Sequence, residues 1–264
     1  MLAALPLAPR IAAAQTPTLI DLPSGGVRFL PGSTVFAGGV VAAEGFEIVH
    51  ALYVPWLPLQ AGFAAVEAHL RSVGRPIVAL CGLELRLPRQ LSVDGFRAFN
   101  QPYVDHLTRW GLISDGRNPV CRTNVAPALG APTEPMLHGF SYTVPATSSG
   151  RTFVMSGMTE LGPGGSPVAA GDTSRDGMDR KIRFVLDAVT RRIADLGFGW
   201  RDVSHVDFYA AAAVDDLITS LLFPVIGAAA GRGLRWHYGR PPVEGVEVEL
   251  EARSVRGEQV VTTR

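Results

Sequence analysis

Glutamates alternate with apolar residues in Gly245-Val246-Glu247-Val248-Glu249-Leu250-Glu251-Ala252. In an extended strand successive side chains point to opposite faces, so Glu247, Glu249 and Glu251 share one face at a repeat of about 7 Å, and Val246, Val248 and Leu250 share the other. Crowded carboxylates repel, which raises at least one pKa unless a cation intervenes. Arg235 and Arg240 lie just upstream, at the start of an expected neighbouring strand. An arginine fork facing a glutamate would grip a substrate carboxylate beside a general acid/base. The competing reading is a solvated strand face with surface ion pairs, and alternation alone does not choose between them.

Other familiar chemistry is missing. His50, His69, His106, His138, His205 and His237 stand apart, with neither HxH nor HExxH spacing, so any metal site would have to be assembled by the fold, and no metal is expected. Gly162-Pro163-Gly164-Gly165-Ser166 lacks the Lys-Ser/Thr of a phosphate loop and reads as a turn. Ser156 is in no GxSxG elbow, and Asp172-Thr173-Ser174 is expected to cap the helix leading to Ile182. Cys81 and Cys121 have no CxxC spacing, which points to two buried thiols in the reducing cytoplasm.

Composition narrows the partners. With 24 basic and 24 acidic residues and 47% hydrophobic content, the chain can bury a core and has no electrostatic reason to bind nucleic acid. No run approaches the roughly 18 apolar residues of a membrane span. The start of the chain is apolar, and Ala12-Ala13-Ala14-Gln15 resembles a cleavage site, but Arg10 follows the apolar stretch rather than preceding it. A disordered tail or a misplaced start is expected there, not a signal peptide.

The elements that must position these groups occur twice. Ser33–Gly39 and Arg151–Gly157 are β-rich runs ending in glycine. Phe63, Val66, Leu70 and Val73 in one half, and Ile182, Val185, Leu186, Val189, Ile193 and Leu196 in the other, form apolar helix faces. Both helices stop at glycine, Gly74 and Gly197. A strand follows in each half, around Cys81–Leu87 and Val206–Tyr209, then a second helix, Val93–Trp110 and Val214–Ala230. Last come an arginine-led strand, 119–125 and 233–238, and a closing strand, 138–144 and 245–253. Two long copies argue for tandem globular domains rather than a solenoid. The division is a tail at 1–22, domains at 23–146 and 151–256 joined through Pro145-Ala146-Thr147-Ser148-Ser149-Gly150, and a tail at 257–264.

This order, with its Ser-Gly turn, Phe99-Asn100-Gln101-Pro102-Tyr103, the arginine-led strand and a final Glu-x-Glu strand, resembles the RidA (YjgF/YER057c/UK114) imine deaminase superfamily. More narrowly, it is similar to that superfamily's double-length 2-aminomuconate and 2-amino-5-chloromuconate deaminases. Gly45-Phe46-Glu47-Ile48-Val49, Leu196-Gly197-Phe198-Gly199-Trp200 and Trp236-His237-Tyr238-Gly239-Arg240-Pro241-Pro242-Val243 carry the narrower likeness. The resemblance implies a chorismate-mutase-like α/β (α+β) fold, with two tandem domains that are each a mixed sheet packed by helices on one face. It also implies a homo-oligomer, with a trimer expected, because single-domain relatives form trimers whose ligand clefts lie between neighbouring subunits.

Carried over by position, the family's carboxylate-binding arginine falls on Arg122 and Arg235, and its water-activating glutamate on Glu249, with Glu247 the near alternative. Asn100 would line the cleft, and Ser156 and Gly157 match the turn that approaches the ligand. The first half departs from the pattern, because His138-Gly139-Phe140-Ser141-Tyr142-Thr143 contains no acid. The implied activity is cofactor-independent hydrolysis of an enamine or imine of a small unsaturated amino acid. Arg235 would hold the substrate carboxylate and Glu249 would move protons. The alternatives are a non-catalytic RidA-like binding protein of small ligands and a chorismatase-type hydrolase.

Overall fold

The computed structural model describes residues 17–146 and 150–262. The expected disorder of residues 1–16 and the flexible linker residues 147–149 lie outside that range. The chain enters through an antiparallel meander of β1 (Ile20–Leu22), β2 (Val27–Leu30) and β3 (Gly39–Ala42). The first half then runs β4 (Phe46–Pro58), α1 (Leu59–Ser72), β5 (Leu80–Arg86), α2 (Val93–Arg109), β6 (Cys121–Pro127) and β7 (Met136–Pro145). The second half repeats the order with β8 (Phe153–Met155), a short β9 (Met158–Thr159), α3 (Arg175–Asp195) and β10 (His205–Ala210). A broken helix follows as α4 (Asp215–Leu217), a wider turn at Ile218–Leu222 and α5 (Phe223–Ile226). The chain closes with β11 (Leu234–His237), β12 (Gly239–Arg240), β13 (Val248–Ser254) and β14 (Gly257–Val261).

Local signals account for most boundaries. Ser92 and Ser174 cap α2 and α3, each hydroxyl accepting the N–H of the residue three ahead. After α1 and α3 the chain turns left-handed at Gly74 (φ 69°) and Gly197 (φ 81°), as glycine permits. The expected single helix over Val214–Ala230 is instead broken, and Gly227 takes φ 52° directly after Ile226.

The strands form two mixed sheets, ordered β1-β2-β3-β8-β13-β10-β11 with β9 also on β13, and β12-β6-β5-β7-β4-β14. The halves thus exchange edges: β1–β3 extend the second half's sheet, and β12 and β14 extend the first half's. This revises three expectations. Residues 20–22 and 257–261, assigned to tails, are strands. Of the expected strand Ser33–Gly39, residues 33–38 are a loop, because Asn118 Nδ2 donates to the carbonyls of Thr34 (3.2 Å) and Val35 (2.9 Å) and draws them out of any ladder.

Helices cover one face of each sheet. Ile182, Val185, Val189 and Ile193 of α3 pack on Val248, Leu250 and Ala252 of β13. Phe63 and Val66 of α1, with Tyr103 and Leu107 of α2, pack on Leu83, Leu85 and Phe140. The other faces turn toward one another, and that seam is buried and polar. At its centre Arg253 Nη1 donates to Glu251 (2.5 Å) and Asp207 (2.7 Å) and lies 3.5 Å from Glu84 of the opposite sheet. The glutamate face is therefore not a solvated surface. Among the described residues no helix is long and apolar enough to cross a membrane.

Candidate active site

Strand β6 places Arg122 on its helix-facing side. Burial alone would disfavour a cation there, and it lowers the guanidinium's pKa. Three things compensate. Nη1 donates to Asn100 Oδ1 of α2 at 2.7 Å. The guanidinium lies over the rings of Tyr103 (4.9 Å), Phe96 (5.3 Å) and Phe36 (5.7 Å), an attraction to the negative ring face. Glu249 also favours its charged form from across the cleft. Among the described residues Arg122 has no carboxylate ion-pair partner, which leaves its fork open to a ligand.

Glu249 comes from β13 of the other half and is 2% exposed. Burial pushes its carboxyl up to about 8, with Glu160 adding repulsion, against the pull of Arg86, Arg122 and the Asn124 backbone N–H. Desolvation wins because Glu249 Oε2 has no hydrogen-bond partner. Arg122 and Glu249 line one pocket, whose walls include Phe36, Phe96, Val243 and Val246. A cation, a carboxyl protonated near neutrality and partly aromatic apolar walls suit a small organic acid.

Three devices hold the pocket together. At Gly157 any Cβ would overlap Glu249 Oε1, so only glycine lets the carboxylate lie against the turn. Gln90 Nε2 lies within hydrogen-bond reach of the carbonyls of Pro241 (3.0 Å), Val243 (2.8 Å) and Val246 (2.8 Å), tying the second half's wall to the first. Glu160, fully buried, accepts the N–H groups of Glu247 (2.6 Å) and Val248 (3.0 Å) and pairs with buried Lys181 at 3.3 Å. That clamp sets where β13 begins and so where Glu249 points.

Comparison with known proteins shows the family. A sequence model described as 2-aminomuconate deaminase CnbZ matches residues 19–259. The chain is also 38% identical over 252 residues to 2-amino-5-chloromuconate deaminase of Comamonas testosteroni, covering 93% of this chain and 100% of the relative. The chain belongs to the CnbZ family of 2-aminomuconate deaminases. Among solved structures, a chorismatase at 15% identity covers 83% of this chain and 77% of its own, with a TM-score of 0.46. The YjgF gene product of E. coli, at 19% identity, covers 40% of this chain and 80% of its own, with a TM-score of 0.29.

In this CnbZ-family chain the residues expected from sequence divide into two groups. Arg122, Asn100, Ser156, Gly157 and Glu249 converge on the cleft between the halves. Ser156 acts as a bridge there: its hydroxyl accepts the Arg122 N–H (2.9 Å) and donates to Ala37 O (2.6 Å), and it is not among the pocket-lining residues. Asn100 likewise touches the pocket through Arg122. Arg235 does not join them; it forks onto Glu258 of β14 at 2.7 and 2.9 Å. Register explains the difference. In β6 Arg122 pairs with Leu83, a core position, whereas in β11 it is Trp236 that pairs with core Phe208. One residue of offset sends Arg235 to the opposite face. Glu247, the alternative acid, is held by Arg240 at 3.0 Å. Sequence reading missed Asn124, Gln90 and the Glu160–Lys181 pair. Only Asn124 had a signal, its two-residue spacing from Arg122.

Proposed function

We propose that this chain hydrolyses the imine tautomer of a 2-aminomuconate-type enamine, releasing ammonia without a cofactor. The observation that carries the reading is that Arg122 and Glu249, from different halves, face one pocket, with the carboxyl pushed up to about 8. Arg122 grips the substrate carboxylate through its open fork, which lysine would reproduce poorly. The apolar walls, Phe36 and Phe96 among them, receive the diene.

Glu249 begins protonated and gives its proton to the imine nitrogen. The resulting carboxylate takes a proton from water as the oxygen–carbon bond forms, which yields a neutral carbinolamine. Glu249 then protonates the amino group, the C–N bond breaks with its electron pair leaving on nitrogen, and the hydroxyl proton returns to the carboxylate. Ketone and ammonia are the products, and Glu249 ends as it began. A carboxyl whose pKa lies near the working pH serves both directions of transfer.

The test is ammonia release from freshly generated 2-aminomuconate by wild type, Arg122→Lys and Glu249→Gln. Release that persists in Glu249→Gln, or no release from wild type, would remove this assignment.

A further inference from the structure

Asn124 follows Arg122 by two residues on β6, so both side chains leave the same strand face about 7 Å apart. Asn124 lines the pocket and is 4% exposed, yet neither Oδ1 nor Nδ2 has a hydrogen-bond partner. Buried amides are nearly always satisfied, and this one gains partners only from what enters the pocket. Its backbone N–H meanwhile favours the ionised form of Glu249, and both residues line the same pocket, so the free amide belongs to the segment beside the acid/base.

The amide sets an acceptor beside a donor. A substrate carboxylate, which only accepts, matches half of that pair and is already served by Arg122. The reacting carbon matches both halves, but only after water has added, when it bears –NH2 and –OH together. We propose that Asn124 is a catalytic residue whose amide clasps the carbinolamine, Oδ1 accepting from its nitrogen and Nδ2 donating to its oxygen. This rests on the hydrolytic reading above. The clasp forms no covalent bond. It steadies the atom pair while water's oxygen bonds to carbon and, later, nitrogen leaves with its electron pair. Because the complementary pair appears during the reaction, the interaction accelerates turnover rather than binding.

The experiment compares wild type, Asn124→Leu, Asn124→Ala and Arg122→Lys in thermal stability, steady-state kinetics on 2-aminomuconate, and affinity for muconate, an unsaturated diacid without the nitrogen. The leucine variant should melt at or above the wild-type temperature, because it removes unpartnered polar atoms. Its kcat should fall about 100-fold, as when a transition-state donor is lost, with muconate affinity unchanged. The alanine variant should lose kcat similarly, which keeps the test valid if leucine does not fold.

Unchanged kcat overturns the clasp. So does a raised KM at constant kcat, which would mean that Asn124 reads a ground-state group. A fall in both stability and muconate affinity overturns it as well, by making the amide structural. In each of those cases loss of muconate binding in Arg122→Lys leaves the hydrolytic reading standing. Absence of ammonia release from wild type removes both.

Discussion

Replacing Glu249 with glutamine should remove a pH dependence of stability that the pocket imposes. The carboxyl moves from an ordinary 4.5 to about 8 on folding, chiefly through burial. At about 1.4 kcal/mol per pH unit, that difference is on the order of 5 kcal/mol. The folded pKa lies above the unfolded one, so between the two the native state holds a proton that the unfolded chain has released. The stabilising contribution is therefore complete below 4.5, declines as pH rises and is lost above about 8. Glu251, also pushed up by burial and by Glu84, stays in both proteins, so the informative quantity is wild type minus variant. Urea unfolding at intervals between about pH 5 and about pH 9 measures it. Relative to the variant, wild type should lose several kcal/mol across that range. A difference that stays flat with pH would mean that the folded carboxyl is already ionised, and the acid role argued for it would fail.

Other substitutions probe the placement of the site. Arg122→Lys should raise KM strongly, whereas Arg235→Lys, in a partly exposed pair with Glu258, should leave kcat/KM unchanged and cost under about 1 kcal/mol; equal kinetic effects would refute the face assignment. Gly157→Ala should displace the Glu249 carboxylate, destabilise by about 1–3 kcal/mol and lower kcat, as calorimetry and ammonia release would report. Lys181→Met leaves Glu160 buried without its cation and should cost about 3–5 kcal/mol in chemical unfolding. Gln90→Leu frees three carbonyls of the pocket wall, and a rise in KM with little change in kcat is expected in steady-state assays.

Much of this molecule could be read from local patterns because the forces behind them are local. The period-2 run around Glu249 put that residue opposite Val248 and Leu250 whatever surrounded it. Ser92 and Ser174 announced helix starts, and Gly74 and Gly197 helix ends. The family likeness pointed to Arg122, which lines the pocket, and to Arg235, which does not, and Asn124 was within reach of the same alternation that served for the glutamates.

What pairs with what was not legible. Alternation shows that Glu249, Glu251 and Arg253 share a face but is silent on what covers it. The cover is the other half's sheet, brought there by contacts between residues more than 100 positions apart, such as Thr123 with Glu251. The same limit hid the exchange of β1–β3 and β14 between sheets, since strand pairing is decided by which exposed edge meets which.

The sequence by itself determined the repeated order of elements, the caps that bound them and the residue types available for acid–base work, because each depends on neighbours in the chain. Only the tertiary structure decided that Arg122 rather than Arg235 meets Glu249. A one-residue difference in register between β5–β6 and β10–β11 reverses which face a side chain leaves from. That register is set by core packing across the sheet rather than by the residues of the strand alone.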